Sequence, residues 1–271
     1  MKASKSGALK PVVNIEMVNT GDCNMENPTG YNAGWVNDHE IAKGAKILVT
    51  RSGGVIPKII ETLQPATTEE QERLWDELAE CPHCGSPTSW NSNGIELCCT
   101  NPLCQGMQLA KIVFFYTQCG AENMGEETIA KIQNIGKTTV HDFLTVTAKE
   151  LLGIDGFGDG IASIVLENNK KLLEGIELPT LMQASDCFTG IGKVKAQKIL
   201  DKLSESDDYD KFFRMEYTPP QKGDKVYANA SKTFQSFYDG VIPFYHSSRL
   251  LVSHSWSQKK MKLTKTELVL A

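Results

Sequence analysis

The feature that most constrains the fold of this chain is a cluster of cysteines in its first half. Five of the eight cysteines lie between positions 81 and 104. Cys81 and Cys84 form a Cys-x-x-Cys knuckle, and Cys99 follows fifteen residues later, with Cys104 closing the second pair. Two such pairs supply the four soft ligands that Zn²⁺ holds at tetrahedral corners. We predict a structural zinc site, because four thiolates leave no coordination position open.

Other residues in and around the cluster leave alternatives open. Cys98 stands beside Cys99 and competes with it for one ligand position. His83 lies inside the knuckle, and we interpret it as a spacer. The competing hypothesis for the whole cluster is a set of unrelated buried cysteines. The remaining three cysteines are isolated and predicted to be small core residues: Cys23, Cys119 and Cys187.

Residues 1 to 66 have the texture of strands and turns. Three extended runs are Lys10–Met17, Gly44–Arg51 and Val55–Thr62. Gly53-Gly54 separates the last two, as a hairpin turn requires. Short strands with glycine turns in so few residues predict a small β-barrel.

The rest of the chain divides by composition. Residues 67 to 80 are acidic and read as a helical or loose connector, which we group with the cysteines in a segment ending at residue 107. Residues 108 to 240 have a helical texture with short glycine turns. Residues 241 to 271 carry no clear pattern, and we leave their structure open. Their basic cluster could equally be a solvated tail: Lys259, Lys260, Lys262 and Lys265.

The helical region contains a repeat. Its clear copies are Asn123-Met124-Gly125, Gly156-Phe157-Gly158 and Gly190-Ile191-Gly192, and Gln221-Lys222-Gly223 is a fainter one. The last glycines are spaced by 31 to 34 residues, which indicates a repeated supersecondary unit. A glycine turn before a helix lets backbone N–H groups approach a phosphate, and nothing in it reads bases. We predict sequence-independent DNA binding, with plain helical-repeat turns as the alternative.

The copies differ in charge. The third carries Lys193 and Lys195 at its helix start, whereas the second carries Asp159 and the first carries Glu126-Glu127. Acidic residues cap a helix start well but repel phosphate. We therefore predict that the third turn is the best candidate for DNA contact.

Total charge and hydropathy exclude little. The formal net charge of −5 counts slightly against a nucleic-acid binder, although local lysines and backbone amides can hold phosphates on an acidic protein. No apolar run approaches the roughly 18 residues of a membrane span, and no apolar signal core follows the amino terminus. We therefore expect a cytoplasmic protein, in the host cytoplasm if a phage encodes it.

The order of these parts resembles the carboxy-terminal half of bacterial and phage-type NAD-dependent DNA ligases, which place an OB barrel, a four-cysteine zinc finger and tandem helix-hairpin-helix repeats in succession. The resemblance covers residues 4 to 203, and 220 to 240 weakly. Spacing in that family favours Cys99 over Cys98 as the ligand. The strings that carry it are Ser6–Val12, Arg51–Ile59, Cys81-Pro-x-Cys-Gly, Cys99-x4-Cys104 with Gln108, and Gly156-Phe157-Gly158.

Several features depart from that family. Gly54 stands where the family usually has Asp, and an insertion around Gly34-Trp35-Val36 interrupts the OB segment. The fourth hairpin is degraded, and the residues after 240 are too few for the family's BRCT domain. No Lys-x-Asp-Gly nucleophile motif occurs in the sequence. We expect a separately encoded ligase subunit, with a truncated piece of a longer ligase as the alternative.

The resemblance implies a multidomain α+β protein with an OB domain at 1 to 66, a connector and zinc finger at 67 to 107, and helix-hairpin-helix repeats at 108 to 240. It implies a subunit of an NAD-dependent ligase in DNA replication and repair, which clamps nicked duplex for a partner adenylation subunit and does not itself bind NAD. No catalytic lysine is expected here. The alternatives are a non-enzymatic DNA-binding or repair-scaffold module and an inactive remnant. The expected DNA contacts are Lys5, Arg51, Lys58, Gly156, Gly158, Gly190, Gly192, Lys193 and Lys195.

Overall fold

A computed structural model describes residues 1–19, 24–52, 56–204, 206 and 208–259 of the chain. The chain divides into two compact units, Met1–Lys111 and Ile112–Ala271. The first unit mixes short strands with helices, and the second is helical in its described part. Mixed helix and small sheets agree with the predicted α+β composition. No helix in the part of the chain that the structure describes is long and apolar enough to cross a membrane.

Among its described residues, the first unit contains eight strands, two helices and the start of a third helix. The elements are β1 (Lys2–Ala3), β2 (Leu9–Lys10), β3 (Val18–Asn19), β4 (Asn24–Met25), α1 (Ala33–Asp38), β5 (Lys46–Ser52), β6 (Ile56–Gln64), α2 (Thr68–Glu77), β7 (Thr88–Trp90), β8 (Leu97–Cys99) and α3 (Gln105–Gln118). The strands pair in sequence order into four antiparallel sheets of two strands each.

The small barrel predicted for residues 1 to 66 is not closed among the described residues. Each described sheet has only two strands, and single bridges rather than ladders join the segments between sheets. Val12 bridges to Thr29, and Thr29 in turn bridges to Lys58. An OB-type domain therefore remains a prediction.

The β5–β6 hairpin corresponds to two of the predicted extended runs, Gly44–Arg51 and Val55–Thr62. Its ladder runs from Lys46 opposite Gln64 to Ser52 opposite Ile56. The predicted turn at Gly53-Gly54 lies outside the described residues. The hairpin contributes Ile59 to the core.

The remaining predicted extended run, Lys10–Met17, is not a continuous strand. The strand β2 ends at Lys10, where Pro11 follows and has no N–H to donate to a ladder. Beyond it the chain stays extended and makes isolated backbone contacts: the N–H of Val13 donates to the oxygen of Pro28, and that of Ile15 to Glu26.

The insertion around Gly34-Trp35-Val36 forms the helix α1. Asn32 begins it, because its side-chain oxygen accepts the N–H of Trp35 at 2.7 Å. The N–H of Gly34 donates to the oxygen of Ile95 at 2.9 Å, in the loop between β7 and β8. A Cβ at Gly34 would come within 2.7 Å of the Gly94 oxygen, so this close approach requires glycine. The insertion thus packs α1 against the loop of the cysteine segment.

The acidic stretch after residue 66 is helical where α2 runs from Thr68 to Glu77. The side chain of Thr67 accepts the N–H of Glu70 at its start. Leu74 and Trp75 of this helix pack against the buried residues around the cysteines. The connector is therefore helical from Thr68 to Glu77, and this helix packs against the core of the first unit.

The second unit consists of the end of α3 and nine further helices in the described residues. These are α4 (Glu126–Gln133), α5 (Val140–Leu144), α6 (Ala148–Leu152), α7 (Asp159–Glu174), α8 (Leu178–Ala184), α9 (Lys193–Leu203), α10 (Asp208–Phe213), α11 (Lys225–Asn229) and α12 (Lys232–Lys259). The helix α12 covers residues 241 to 259 of the segment whose structure the sequence left open. The side chains of residues 250 and 252 to 259, which include Lys259, and the whole of residues 260 to 271 lie outside the described part.

A buried polar contact joins three helices of the second unit. The hydroxyl of Tyr116 on α3 donates to Oδ1 of Asn169 on α7 at 2.6 Å. The amide nitrogen of Asn169 donates to the backbone oxygen of Phe143 on α5 at 2.7 Å. Desolvation raises the pKa of Tyr116 well above its usual range, so the hydroxyl keeps its proton. The two buried side chains are thus hydrogen-bonded to each other, and Asn169 is also bonded to the backbone of α5.

Candidate metal centre and nucleic-acid interface

Four cysteine sulfurs meet in the first unit. The Sγ atoms of Cys81, Cys84, Cys99 and Cys104 all lie within 4.8 Å of one another. The Sγ of Cys81 is 3.9 Å from that of Cys104, and the Sγ of Cys84 is 3.6 Å from that of Cys99. A tetrahedral zinc with Zn–S bonds of about 2.3 Å has sulfur–sulfur edges of about 3.8 Å. The four thiols can therefore hold a metal ion, and the spacing is compatible with structural zinc.

Tight backbone turns bring the two pairs together. The N–H groups of Cys84 and Gly85 both donate to the oxygen of Cys81, and Gly85 has a φ of +67°, which favours glycine. The strand β8 carries Cys99. Cys104 lies directly before α3, and its oxygen accepts the N–H of Gln108. A knuckle, a strand end and a helix start thus each fix part of the ligand set.

The surroundings of the thiols set unequal acidities. Hydrogen bonds from the side chain and backbone of Ser86 lower the pKa of Cys84 to about 6. Desolvation raises the pKa of Cys99 to about 12, and it also raises the pKa of Cys104. A bound metal requires all of these groups as thiolates, so its binding would release protons.

Cys98 is not one of the four clustered cysteines. Its Sγ lies 3.9 Å from the backbone oxygen of Glu96, and burial raises the pKa of its thiol. The alternation of β8 explains the difference, because successive side chains on a strand point to opposite faces. Cys99 is therefore the residue that the geometry brings to the cluster.

The amino-terminal residues pack around the same centre. The N–H of Cys99 donates to the oxygen of Gly7 at 3.0 Å, and Ala8 bridges to Cys98. Leu9 is fully buried in one cluster with the cysteines, and Lys10 pairs with Glu96 at 2.5 Å. The segment predicted to open a separate barrel thus shares a core with the knuckle.

His83 makes a structural contact instead of joining the four sulfurs. Its Nε2 accepts the N–H of Ala3 at 3.2 Å. A Cβ at Gly106 would come within 2.7 Å of the His83 ring, so α3 begins in close contact with it. His83 lies outside the cysteine cluster, as expected of a spacer. Cys119 and Cys187, predicted as core residues, are half-buried, and Cys23 lies outside the described residues.

The three clear copies of the repeat share one backbone geometry. Their last glycines, Gly125, Gly158 and Gly192, each begin a helix with φ between −79° and −87° and ψ between 173° and 174°. Two residues earlier the chain has positive φ, of 57° at Asn123, 77° at Gly156 and 72° at Gly190. The middle residues anchor the turns, because all three are buried: Met124, Phe157 and Ile191.

These turns leave their helix starts without a side-chain cap from the glycine itself. The first N–H groups of a helix have no partner within the helix, so another group can accept them. At the third turn, the N–H of Lys193 donates to Oε1 of Gln183. The fourth copy differs: Gly223 has a φ of +113°, but Asp224 begins the five-residue helix α11. The degraded sequence of this copy corresponds to a different backbone.

The charged groups that surround the second and third turns in the structure include residues that lie far from these turns in the sequence. A Cβ at Gly156 would lie 3.7 Å from Nζ of Lys131, which belongs to α4. At the third turn, Nζ of Lys193 pairs with Glu177 at 2.7 Å, and Nζ of Lys195 donates to the oxygen of Gly190 at 2.9 Å. The second turn therefore has a lysine that its own sequence lacks. That lysine pairs with Glu127, and both lysines of the third turn have partners as well.

The remaining predicted DNA contacts lie in the first unit. Lys58 is exposed on β6, and Lys5 is half-buried between β1 and β2. Arg51 lies on β5 opposite Pro57, and its side chain is outside the described part. The structure thus places these three residues at separate points of the first unit.

Sequence reasoning missed Lys131 and Gln183. Lys131 lies 25 positions before Gly156, and its only local pattern is an i, i+4 pair with Glu127 at 3.1 Å. Gln183 lies on α8 and contacts the start of α9, where its Oε1 accepts the N–H of Lys193. Nothing in the turn sequences indicates either residue, because both come from neighbouring helices.

Comparison with known proteins places the chain beside DNA ligases. No family model matches it. A DNA ligase of Acanthamoeba polyphaga mimivirus is 30% identical over 200 residues, which are 73% of this chain and 30% of that protein. A ligase of Haloferax volcanii is 26% identical over 250 residues, 87% of this chain and 35% of that protein. A ligase of Oleidesulfovibrio alaskensis is 22% identical over 241 residues, 88% and 34% respectively.

The predicted resemblance to DNA ligases is therefore confirmed, and the chain is homologous to a segment of these proteins. The chain spans about a third of the length of the curated relatives it matches. The relatives come from bacteria, an archaeon and a virus.

Proposed function

We propose that this chain is the DNA-binding segment of an NAD-dependent DNA ligase, which grips nicked duplex while a partner adenylation domain seals it. The observation that carries the proposal is the threefold turn geometry at Gly125, Gly158 and Gly192 in a chain homologous to DNA ligases. Such turns present backbone N–H groups to phosphates and read no bases. A ligase needs this kind of binding, because nicks occur in any sequence.

Each unit has its own proposed share in this function. The second unit acts as tandem helix-hairpin-helix repeats that hold the phosphate backbone. The first acts as an OB-type module in which Lys5, Arg51 and Lys58 contact phosphates, while zinc on the four cysteines stabilises its core. A closed shell of four thiolates assigns the metal a structural role. Holding the two ends of a nick in line lowers the barrier by positioning.

The adenylation chemistry is assigned to a partner. The sequence has no Lys-x-Asp-Gly motif, so we place the lysine that receives AMP on another polypeptide segment. That segment takes AMP from NAD onto its lysine with release of nicotinamide mononucleotide. It then transfers the AMP to the 5′-phosphate at the nick, and AMP leaves when the 3′-hydroxyl attacks. This chain contributes positioning and binds no NAD in this account.

A reconstitution assay tests the proposal. The zinc-loaded chain is mixed with a separately expressed adenylation domain of an NAD-dependent ligase, NAD and a nicked duplex, with each component alone as control. Sealing only in the complete mixture supports the proposed function. An inactive mixture in which the chain still binds DNA favours a non-enzymatic DNA-binding or repair-scaffold module instead. A chain that binds no DNA overturns both assignments.

A further inference from the structure

Polar side chains of this chain cover the start of the third turn's helix. The N–H of Lys193, the first residue of α9, donates to Oε1 of Gln183 on α8 at 2.5 Å. A Cβ at Gly192 would lie 3.6 Å from the same oxygen. The amide oxygen of Gln183 therefore occupies the position in which a phosphate oxygen would accept this N–H.

A second glutamine fixes the orientation of that amide. The Nε2 of Gln183 donates to Oε1 of Gln118 on α3. Rotating the amide by half a turn would direct its NH₂ group at the Lys193 N–H, where two donors would face each other. The same rotation would set its oxygen against that of Gln118. The oxygen of Gln183 is thus held toward the helix start.

The positive charge at this turn is also engaged. Glu177 pairs with Nζ of Lys193 at 2.7 Å, and it also begins α8. The ammonium of Lys195 turns back onto the oxygen of Gly190. At the second turn, in contrast, a Cβ at Gly158 would meet nothing within 4 Å. Nζ of Lys131 lies beside Gly156 there and pairs with Glu127 at 3.1 Å.

We propose that Gln183 and Glu177 form an autoinhibitory cover on the third turn, which a DNA phosphate must displace before it can bind there. Gln183 mimics the phosphate oxygen at the Lys193 N–H, and Glu177 mimics its charge at the Lys193 ammonium. The inference rests on the proposed DNA-binding function. It makes the second turn the first to engage DNA and the third a weaker contact that forms on displacement of the cover.

The cover is expected to be modest in strength. The Lys193–Glu177 pair is more than half exposed on both sides, and such pairs contribute little. A net intramolecular hydrogen bond of ordinary strength corresponds to a change of about two- to tenfold in an equilibrium constant. Removal of the cover is therefore expected to tighten DNA binding by about two- to tenfold.

Three variants test the cover by fluorescence anisotropy with a 5′-phosphorylated nicked duplex. The double variant Gln183→Ala with Glu177→Gln removes both mimics and should bind more tightly than the wild type. Gln183→Glu should bind more weakly, because it keeps an acceptor at the Lys193 N–H and adds a charge that repels phosphate. The matched control is Glu167→Gln, which removes one exposed acid paired with Lys171 on α7 and should change binding less than the double variant.

The outcomes separate this inference from the proposed function. Tighter binding by the double variant and weaker binding by Gln183→Glu support the cover. If the wild type binds DNA but both variants bind with unchanged affinity, or shift no further than the control, the cover is overturned. The proposed function is left standing in that case. Absence of DNA binding in every form overturns both. Circular dichroism checks the fold, and hydrogen exchange of the Lys193 amide should accelerate in Gln183→Ala, whereas an unchanged rate contradicts the assigned contact.

Discussion

The ammonium of Lys131 lies beside Gly156, close enough that a Cβ on that glycine would be 3.7 Å from Nζ. Lys131 belongs to α4 and Gly156 to the turn before α7, so the charge at the second turn comes from another repeat. Asp159, at the start of α7, would repel phosphate there. Lys131 brings a positive charge close to the same turn and pairs with Glu127 at 3.1 Å. The second turn thus combines a nearby cation with a helix start at which a Cβ on Gly158 would meet nothing within 4 Å.

Removing Lys131 is expected to weaken DNA binding. Lys131→Ala should raise the Kd for nicked duplex by about three- to tenfold, as for a charge-assisted contact at an exposed site. It should also reduce the slope of log Kd against log salt by about one. Lys170→Ala is the matched control, because that lysine is exposed on α7 and paired with Glu174. Equal losses in both variants would refute a specific role for Lys131.

Two glycine variants can separate the role of the second turn in DNA binding from its contribution to the stability of the fold. Gly156 has a φ of +77° and Gly136 a φ of +87°, and a Cβ at Gly136 would meet nothing within 4 Å. Alanine at either position should cost about 1 kcal/mol of unfolding free energy through backbone strain. Only Gly156→Ala should also weaken DNA binding, because Gly136 lies outside the repeated turns. Chemical denaturation and anisotropy measure the two effects, and a Gly136→Ala variant that loses DNA binding equally would contradict the assignment.

The cysteine cluster predicts one bound zinc per chain. Cys99→Ser should lower the zinc content measured by atomic emission and destabilise the first unit, since metal binding and folding are coupled. Cys98→Ser is the neighbouring control and should retain zinc, because its Sγ faces the oxygen of Glu96. The proposed ligand set fails if Cys98→Ser loses the metal and Cys99→Ser keeps it.

The contact between Tyr116 and Asn169 predicts that removing the hydroxyl of Tyr116 lowers the stability of the fold without changing the charge of the protein. Tyr116→Phe leaves Oδ1 of the buried Asn169 without its donor, at a cost of about 1–3 kcal/mol. Tyr227→Phe removes a hydroxyl bonded to Asp239 at the surface and should cost much less. Urea denaturation measures the unfolding free energy of both variants. Equal losses would show that the buried contact contributes no more to stability than the exposed one.

The sequence predicted features that depend on local spacing. The ligand pairs Cys81/Cys84 and Cys99/Cys104 come together in the structure, because turns and a strand end dictate where neighbouring thiols point. The repeated turns also share the geometry that their glycines indicated. Residue spacing could not predict contacts between segments that are distant in the sequence. One such contact is the packing of Leu9 in the same buried cluster as the cysteines.

Long-range contacts also bear on the ranking of the turns. The sequence predicts the third turn as the best DNA contact because Lys193 and Lys195 lie at its helix start, whereas the proposed cover ranks the second turn first. In the structure Glu177 and Gln183 come from α8 to engage that start, while Lys131 comes from α4 to the second turn. The sequence of a turn carries no pattern that indicates these contacts, because the side chains that make them lie 10 to 25 positions away.

The most direct test of DNA binding through the repeated turns is the salt dependence of the affinity. Kd for a nicked duplex would be measured from about 50 to about 200 mM salt, on two unrelated base sequences. We predict a steep linear rise of log Kd with log salt that is the same for both sequences, because phosphates and not bases are bound. A Kd independent of salt, a strong preference for one sequence, or no binding at low salt would contradict the account.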